Sequence, residues 1–132
     1  MTRRSTSVVL GFAVALLCVS SAWAHQTATN NGVTVTTHVA PDDEPVAGTA
    51  ALILVEKIKT RTGRFAWATC RCTVEVSNSA RAVLRRGRAG PRTEFTFPEP
   101  GAYRITVAGR VKRGAVWRWF KVSYAIRANE AS

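Results

Sequence analysis

Between Gly32 and Arg127 apolar side chains recur at every second position in short runs, and each run stops within a few residues at prolines, glycines or acidic turn residues. A period of two belongs to half-buried strands, whose successive side chains point to opposite faces. In Gly32–Ala40, Val33, Val35 and Val39 share one parity, and Thr34, Thr36 and His38 take the other. Pro41-Asp42-Asp43-Glu44-Pro45 cannot continue a ladder, because the two prolines lack an N–H and the carboxylates favour turns; Gly48 closes the loop. Thr49–Lys59 contains Ala50 to Val55 without alternation, which fits a central strand covered on both faces until Glu56 and Lys57, with a short helix as the competing assignment.

After a turn at Thr60–Gly63, Arg64–Ser77 reads as a strand whose apolar parity changes near Ala68 and Thr69: Phe65 and Trp67 are odd, whereas Cys70, Cys72, Val74 and Val76 are even. A shift by one residue sends every later side chain to the other face, so a bulge or break is expected there. Asn78–Arg92, with Gly87, Gly90 and Pro91, reads as the longest connection, with one helical turn over Ala80–Leu84 as an option. Thr93–Phe97, Ala102–Gly109 and Ala115–Arg127 are strands by the same alternation, the last two joined by a turn at Lys112-Arg113-Gly114. About seven short strands with frequent turn signals and no long helical pattern point to an all-β antiparallel β-sandwich.

The first 24 residues read differently. Arg3 and Arg4 precede an uncharged apolar run, Val8 to Val19, and Ala22-Trp23-Ala24 fits a small-x-small cleavage rule, the pattern of a helical signal peptide. The run is shorter than the roughly 20 apolar residues of a membrane span. The expected organisation is therefore a signal peptide over 1–24, a loose polar lead-in over 25–31 beginning at His25, and one sandwich domain over 32–128. The expected location is the periplasm or the exterior, with no membrane span after cleavage. Leu17 before Cys18 is not the small residue of a lipoprotein signal, so no lipid is expected there.

Without Arg3 and Arg4, 17 basic residues stand against 8 acidic ones, a net charge of +9. Arg81, Arg85, Arg86, Arg88 and Arg92 lie between Glu75 and Glu94 with no acid among them. Such a cluster concentrates anions, and outside the cytosol the available polyanions are lipid headgroups, cell-surface polysaccharides and extracellular nucleic acid, so a basic face reads as adhesion to anionic envelope components before gene regulation. The sequence carries no nucleic-acid motif, and no nucleic-acid partner is expected. Trp117 and Trp119, on the parity opposite to Val116, Phe120, Val122 and Tyr124, are candidates for contact with a protein partner.

No nucleophile elbow, phosphate-binding loop or paired carboxylates occur, and only His25 and His38 are available as bases, so a non-enzymatic binding or accessory role is expected. The cysteines leave three readings open. Cys70 and Cys72 share the parity of Val74 and Val76 and so suit core packing. A disulfide between them needs a distorted backbone, because Cα atoms two apart on a strand are separated by about 6.6 Å, at the limit of disulfide geometry. Two thiolates on one face can also converge on copper(I) or zinc, with His38 or His25 completing the set. His25, once amino-terminal, can chelate copper(II) through its α-amine and its own imidazole.

Pro100-Gly101-Ala102-Tyr103 places a tyrosine at the start of a strand just after a corner, where immunoglobulin-like sandwiches bond its hydroxyl to backbone a few residues upstream. Together with the export signal, the run His38 to Gly48, the Cys70-Arg71-Cys72 strand and Phe97 to Tyr103, this resembles small bacterial periplasmic immunoglobulin-like domains of the YtkA, FixH and CopC type. The resemblance implies an immunoglobulin-like sandwich and, through the CopC-type proteins, a copper site whose first ligand is an amino-terminal histidine, matched here by His25. The metal residues expected are thus Cys70, Cys72, His38 and His25, with copper as the cofactor.

Overall fold

The computed structural model describes residues 25–66, 69–88 and 90–132. The expected signal peptide, its cleavage site and Cys18 lie outside the described residues, as do Trp67 and Ala68 at the expected parity break. The described chain is all β, in the order β1 (Gln26–Asn30), β2 (Val33–Ala40), β3 (Ala50–Thr60), β4 (Gly63–Phe65), β5 (Cys70–Asn78), β6 (Val83–Arg88), β7 (Arg92–Thr96), β8 (Gly101–Arg113) and β9 (Val116–Ala128). These strands form two antiparallel sheets in a sandwich-like arrangement. In the first, β1, β2 and β3 are neighbours in order, and the far edge of β3 is shared by β4 near its end and β7 near its start. The second runs β6-β5-β8-β9.

The core is the inward parity of both sheets. Val33, Val35 and Ile53 from the first sheet and Val76, Ile105 and Val107 from the second are almost wholly buried. Phe97, fully buried, stands edge-on to Phe95 and to Tyr103, each with ring centroids 4.9 Å away. The Tyr103 hydroxyl donates to the Glu99 carbonyl at 2.6 Å and accepts the Glu99 N–H at 3.1 Å, the corner bond expected from the sequence.

The strand β3 alternates after all. Ala51, Ile53 and Val55 are buried on odd positions, and Ile58 and Thr60 on even ones, because the β2–β3 register shifts between Thr36 and Thr37. Thr36 pairs with Lys57 and Thr37 with Val55, so Glu56 is the extra residue of a bulge. The continuous apolar look of Ala50 to Val55 arises because Leu52 and Leu54 on the outer face are themselves half-buried.

Three other expectations are corrected. Residues 25–31, expected to be loose, contain the edge strand β1, paired with β2 from Gln26↔Thr37 to Asn30↔Val33. Side chains of β1 and of the turn after it also satisfy the exposed edge of β9: Asn31 donates to the Trp119 carbonyl at 2.7 Å, Gln26 donates to that of Ala125 at 3.1 Å, and Asn30 accepts the Lys121 N–H at 2.9 Å. The expected long connection holds β6, whose pairing with β5 is ladder-bonded but whose arginines bury nothing that a period-two reading detects. The last hairpin turns one step later than expected, at Gly114 and Ala115, with Arg113 opposite Val116.

Tyr124 crosses the core and donates to the Val35 carbonyl at 2.7 Å. Burial pushes its phenol up from 10.0 to about 12. The folded state therefore holds this proton more tightly than the unfolded chain, so the associated stability is intact below pH 10 and disappears as pH rises towards 12. Two units correspond to on the order of 2–3 kcal/mol. Urea unfolding at pH 9 and pH 12 will show a larger alkaline loss for the natural chain than for Tyr124→Phe.

Candidate metal site

His25 and His38 come together. β1 and β2 are antiparallel with Gln26 opposite Thr37, so the next residues outward along the register are His25 and His38, on the outer face of the first sheet. Their rings lie edge to face with centroids 5.4 Å apart. His38 pairs with Leu54 across the other side and is 9 % exposed, whereas His25 is largely open to solvent.

Each imidazole has a carboxylate on its Nδ1. For His38 it is Asp43 Oδ2 at 2.8 Å. Asp43 belongs to the proline-bracketed turn after β2 and is fixed there twice more: its Oδ1 accepts the Val39 N–H at 2.6 Å and its own N–H donates to the Val39 carbonyl at 2.7 Å. Its backbone takes a φ of 62°, a region that aspartate tolerates better than most residues. For His25 the partner is Glu56 Oε2 at 3.0 Å. Glu56 is the bulge residue of β3, and a bulge re-aims the side chain of its extra residue. A carboxylate on Nδ1 sets ring orientation and leaves Nε2 of His38 as the nitrogen able to act as a ligand.

The sequence pointed to both histidines but missed Asp43 and Glu56. The signal for Asp43 was a carboxylate five residues after His38 within a turn too short to carry it away. That for Glu56 was the change from odd to even apolar parity between Val55 and Ile58.

The cysteines are elsewhere. Cys70 and Cys72 lie on β5 of the second sheet, each 2 % exposed and turned into the core, and they are joined to each other as a disulfide. Their Cα atoms are 5.3 Å apart, so the strand is shortened there relative to a regular one. The strand opposite makes room with Gly109, the register partner of Cys72. The four expected metal residues thus fall into two pairs, His25 with His38 on an outer face and Cys70 with Cys72 in the core. Among the described residues no group of three or more His, Cys, Asp or Glu side chains is arranged to hold a metal ion.

The five arginines expected to form one basic face are also divided. Arg86 and Arg88 pair with Glu75 and Thr73 and share their outer face of the second sheet; Arg85 pairs with the buried Val76 and takes the opposite parity. Arg81 sits in the turn before β6, and Arg92 lies on β7 in the other sheet, opposite Leu54. Among the described residues no helix is long and apolar enough to cross a membrane. No protein-family model matches the chain, and neither a curated protein nor a solved structure matches it.

Proposed function

We propose that this chain is an exported, non-enzymatic, immunoglobulin-like domain that binds copper(II) at the start of its mature sequence. The observation that carries the reading is the pair of imidazoles 5.4 Å apart, each steadied by its own carboxylate, at the point where a chain cleaved after Ala24 begins. The immunoglobulin-like assignment rests on the Tyr103 corner bond and the two antiparallel sheets.

The donor set fits copper(II). Two side-chain imidazoles are too few for a closed site, and the third donor is the α-amine that cleavage gives to His25, which with Nδ1 of the same residue forms a chelate ring. Glu56 is 3.0 Å from that Nδ1, the distance that separates adjacent ligands around a small ion; when Nδ1 gives up its proton to bind the metal, the hydrogen bond is exchanged for an oxygen donor from the same carboxylate. Nε2 of His38, with its ring held by Asp43, is the remaining nitrogen. The disulfide offers no thiolate, which favours the harder copper(II) over copper(I).

Calorimetric titration of copper(II) into protein beginning at His25 will give one equivalent bound. His38→Ala will weaken binding by about a hundredfold or more, and Asp43→Asn by about tenfold, the lower end of the range found for partners behind a ligand. Cys70→Ala with Cys72→Ala will leave affinity unchanged. No saturable binding, or unchanged affinity in His38→Ala, overturns the proposal; loss of binding in the cysteine variant alone moves the site to the sulfurs.

A further inference from the structure

The charges of this chain are segregated by sheet. The four strands of the second sheet carry eleven basic residues and one acid, Glu75, whereas the first sheet carries four basic residues and two acids. Pairing places eight of the eleven on one face, the side away from the core. Arg71 is opposite Arg110, Arg88 opposite Thr73, and Arg86 opposite Glu75. Lys112, Lys121 and Arg127 follow on β8 and β9, with Arg104 towards the far end. Glu75 neutralises only Arg86, at 2.7 and 2.8 Å.

At one end of this face the cations crowd onto indole rings. The guanidinium carbons of Arg110 and Arg71 lie 4.5 and 5.3 Å from the Trp117 ring centroid and Lys112 Nζ lies 5.8 Å from it; Arg110 is also 5.2 Å from Trp119. Three cations around one ring repel one another, and no described carboxylate pairs with any of them. Attraction to the indole rings offsets part of that repulsion. Of the hydroxyl residues on the same face, Thr73 and Ser123 are exposed, whereas Ser77 and Thr106 are buried, the latter hydrogen-bonded to Ser123 at 3.0 Å. Three shallow concavities lie along it: one beside Trp117 and Lys112, one between Arg71 and Arg88, and one of about 560 Å³ bounded by Arg104, Lys121 and Glu75.

We propose that this outer face of the second sheet is a binding track for a linear anionic polysaccharide. The elongated form follows β8, whose 13 residues span roughly 40 Å, and suits a polymer better than a single small anion. Arginine forks suit carboxylate and sulfate groups, the exposed Thr73 and Ser123 hydroxyls suit sugar hydroxyls, and Trp119, 63 % exposed, offers a ring face to a sugar. Single-stranded nucleic acid is disfavoured because successive bases need several open aromatic platforms, and Trp117 is already occupied by cations. An anionic bilayer is disfavoured because the face presents no contiguous apolar wedge to insert. The track is independent of the copper site, which lies on the outer face of the other sheet.

The experiment is binding of the full mature chain to heparin and to alginate by surface plasmon resonance in 0.05 to 0.5 M NaCl, with neutral dextran, oligo-dT of equal charge and phosphatidylglycerol vesicles as comparators. Heparin and alginate will bind and dextran will not, with affinity falling log-linearly with salt. Arg71→Ser with Arg110→Ser will lose tenfold or more, Trp119→Ala several-fold, and the charge-matched Arg85→Ser with Arg92→Ser less than about twofold. Circular dichroism melts will establish that all variants are folded. Equal losses in the two double-arginine variants would mean that net charge alone is at work and would overturn the track. Tighter binding to oligo-dT or to vesicles than to both polysaccharides, or no polysaccharide binding at 0.15 M NaCl, would also overturn it.

Discussion

Gly109→Ala will unfold at a far lower denaturant concentration than the natural chain, with an expected loss of about 3–5 kcal/mol. The reason is backbone against backbone. A Cβ built on Gly109 would lie 2.6 Å from Cys72 Cα and closer still to the Arg71 carbonyl oxygen, and neither atom can swing aside as the end of a long side chain can. Because Gly109 is the register partner of Cys72, the methyl group would push β8 from β5 at the shortened segment where the disulfide closes. The two strands would have to separate around Val107, Val111 and Val74, all buried, so the cost extends beyond one contact. The control is Gly87→Ala on β6, where nothing lies within 4 Å of the built Cβ. That substitution will shift stability by no more than about 0.5 kcal/mol. Equal and small effects at both positions in urea titrations would show that the close approach at Cys72 is not a constraint.

Gly109 also shows where the sequence was readable and where it was not. The strands that bury one face, β2, β5, β8 and β9, were visible because Val33, Val35, Cys70, Cys72, Ile105, Val107, Val122 and Tyr124 keep strict parity. The edge strands β1 and β6 were invisible, since Thr27, Thr29, Arg86 and Arg88 face solvent and a ladder hydrogen bond leaves no trace in residue type. The candidate metal site inherits both outcomes. His25 and His38 were identifiable one at a time as donors, but their meeting depends on β1 being a strand. The basic track shows the same effect in reverse: arginines adjacent in sequence alternate between faces, so Arg85 and Arg86 part company, while Arg71, Arg88 and Arg110, far apart in the chain, become neighbours. The disulfide was left open because regular strand spacing disfavours it. The local shortening that permits it is balanced by a glycine 37 residues downstream, which no local pattern connects to it.

Protein beginning at His25 will bind copper(II) at least roughly a hundredfold more tightly than the same chain with one alanine placed ahead of it. With His25 first, its α-amine and Nδ1 belong to one residue and close on an ion together, so the second nitrogen is already in position when the first binds. The added alanine turns the nitrogen of His25 into an amide and moves the free amine one residue outward, while His38, Asp43 and Glu56 keep their places. The charge of the chain is unchanged, and β1 still begins at Gln26. The comparison therefore isolates the amine, as His38→Ala isolates the second imidazole. Electron paramagnetic resonance will record a change in the nitrogen donor set alongside the lost affinity. If the extended chain binds as tightly as the one that starts at His25, the α-amine is not a ligand, and only two side-chain nitrogens and a carboxylate remain, too few for the closed site proposed.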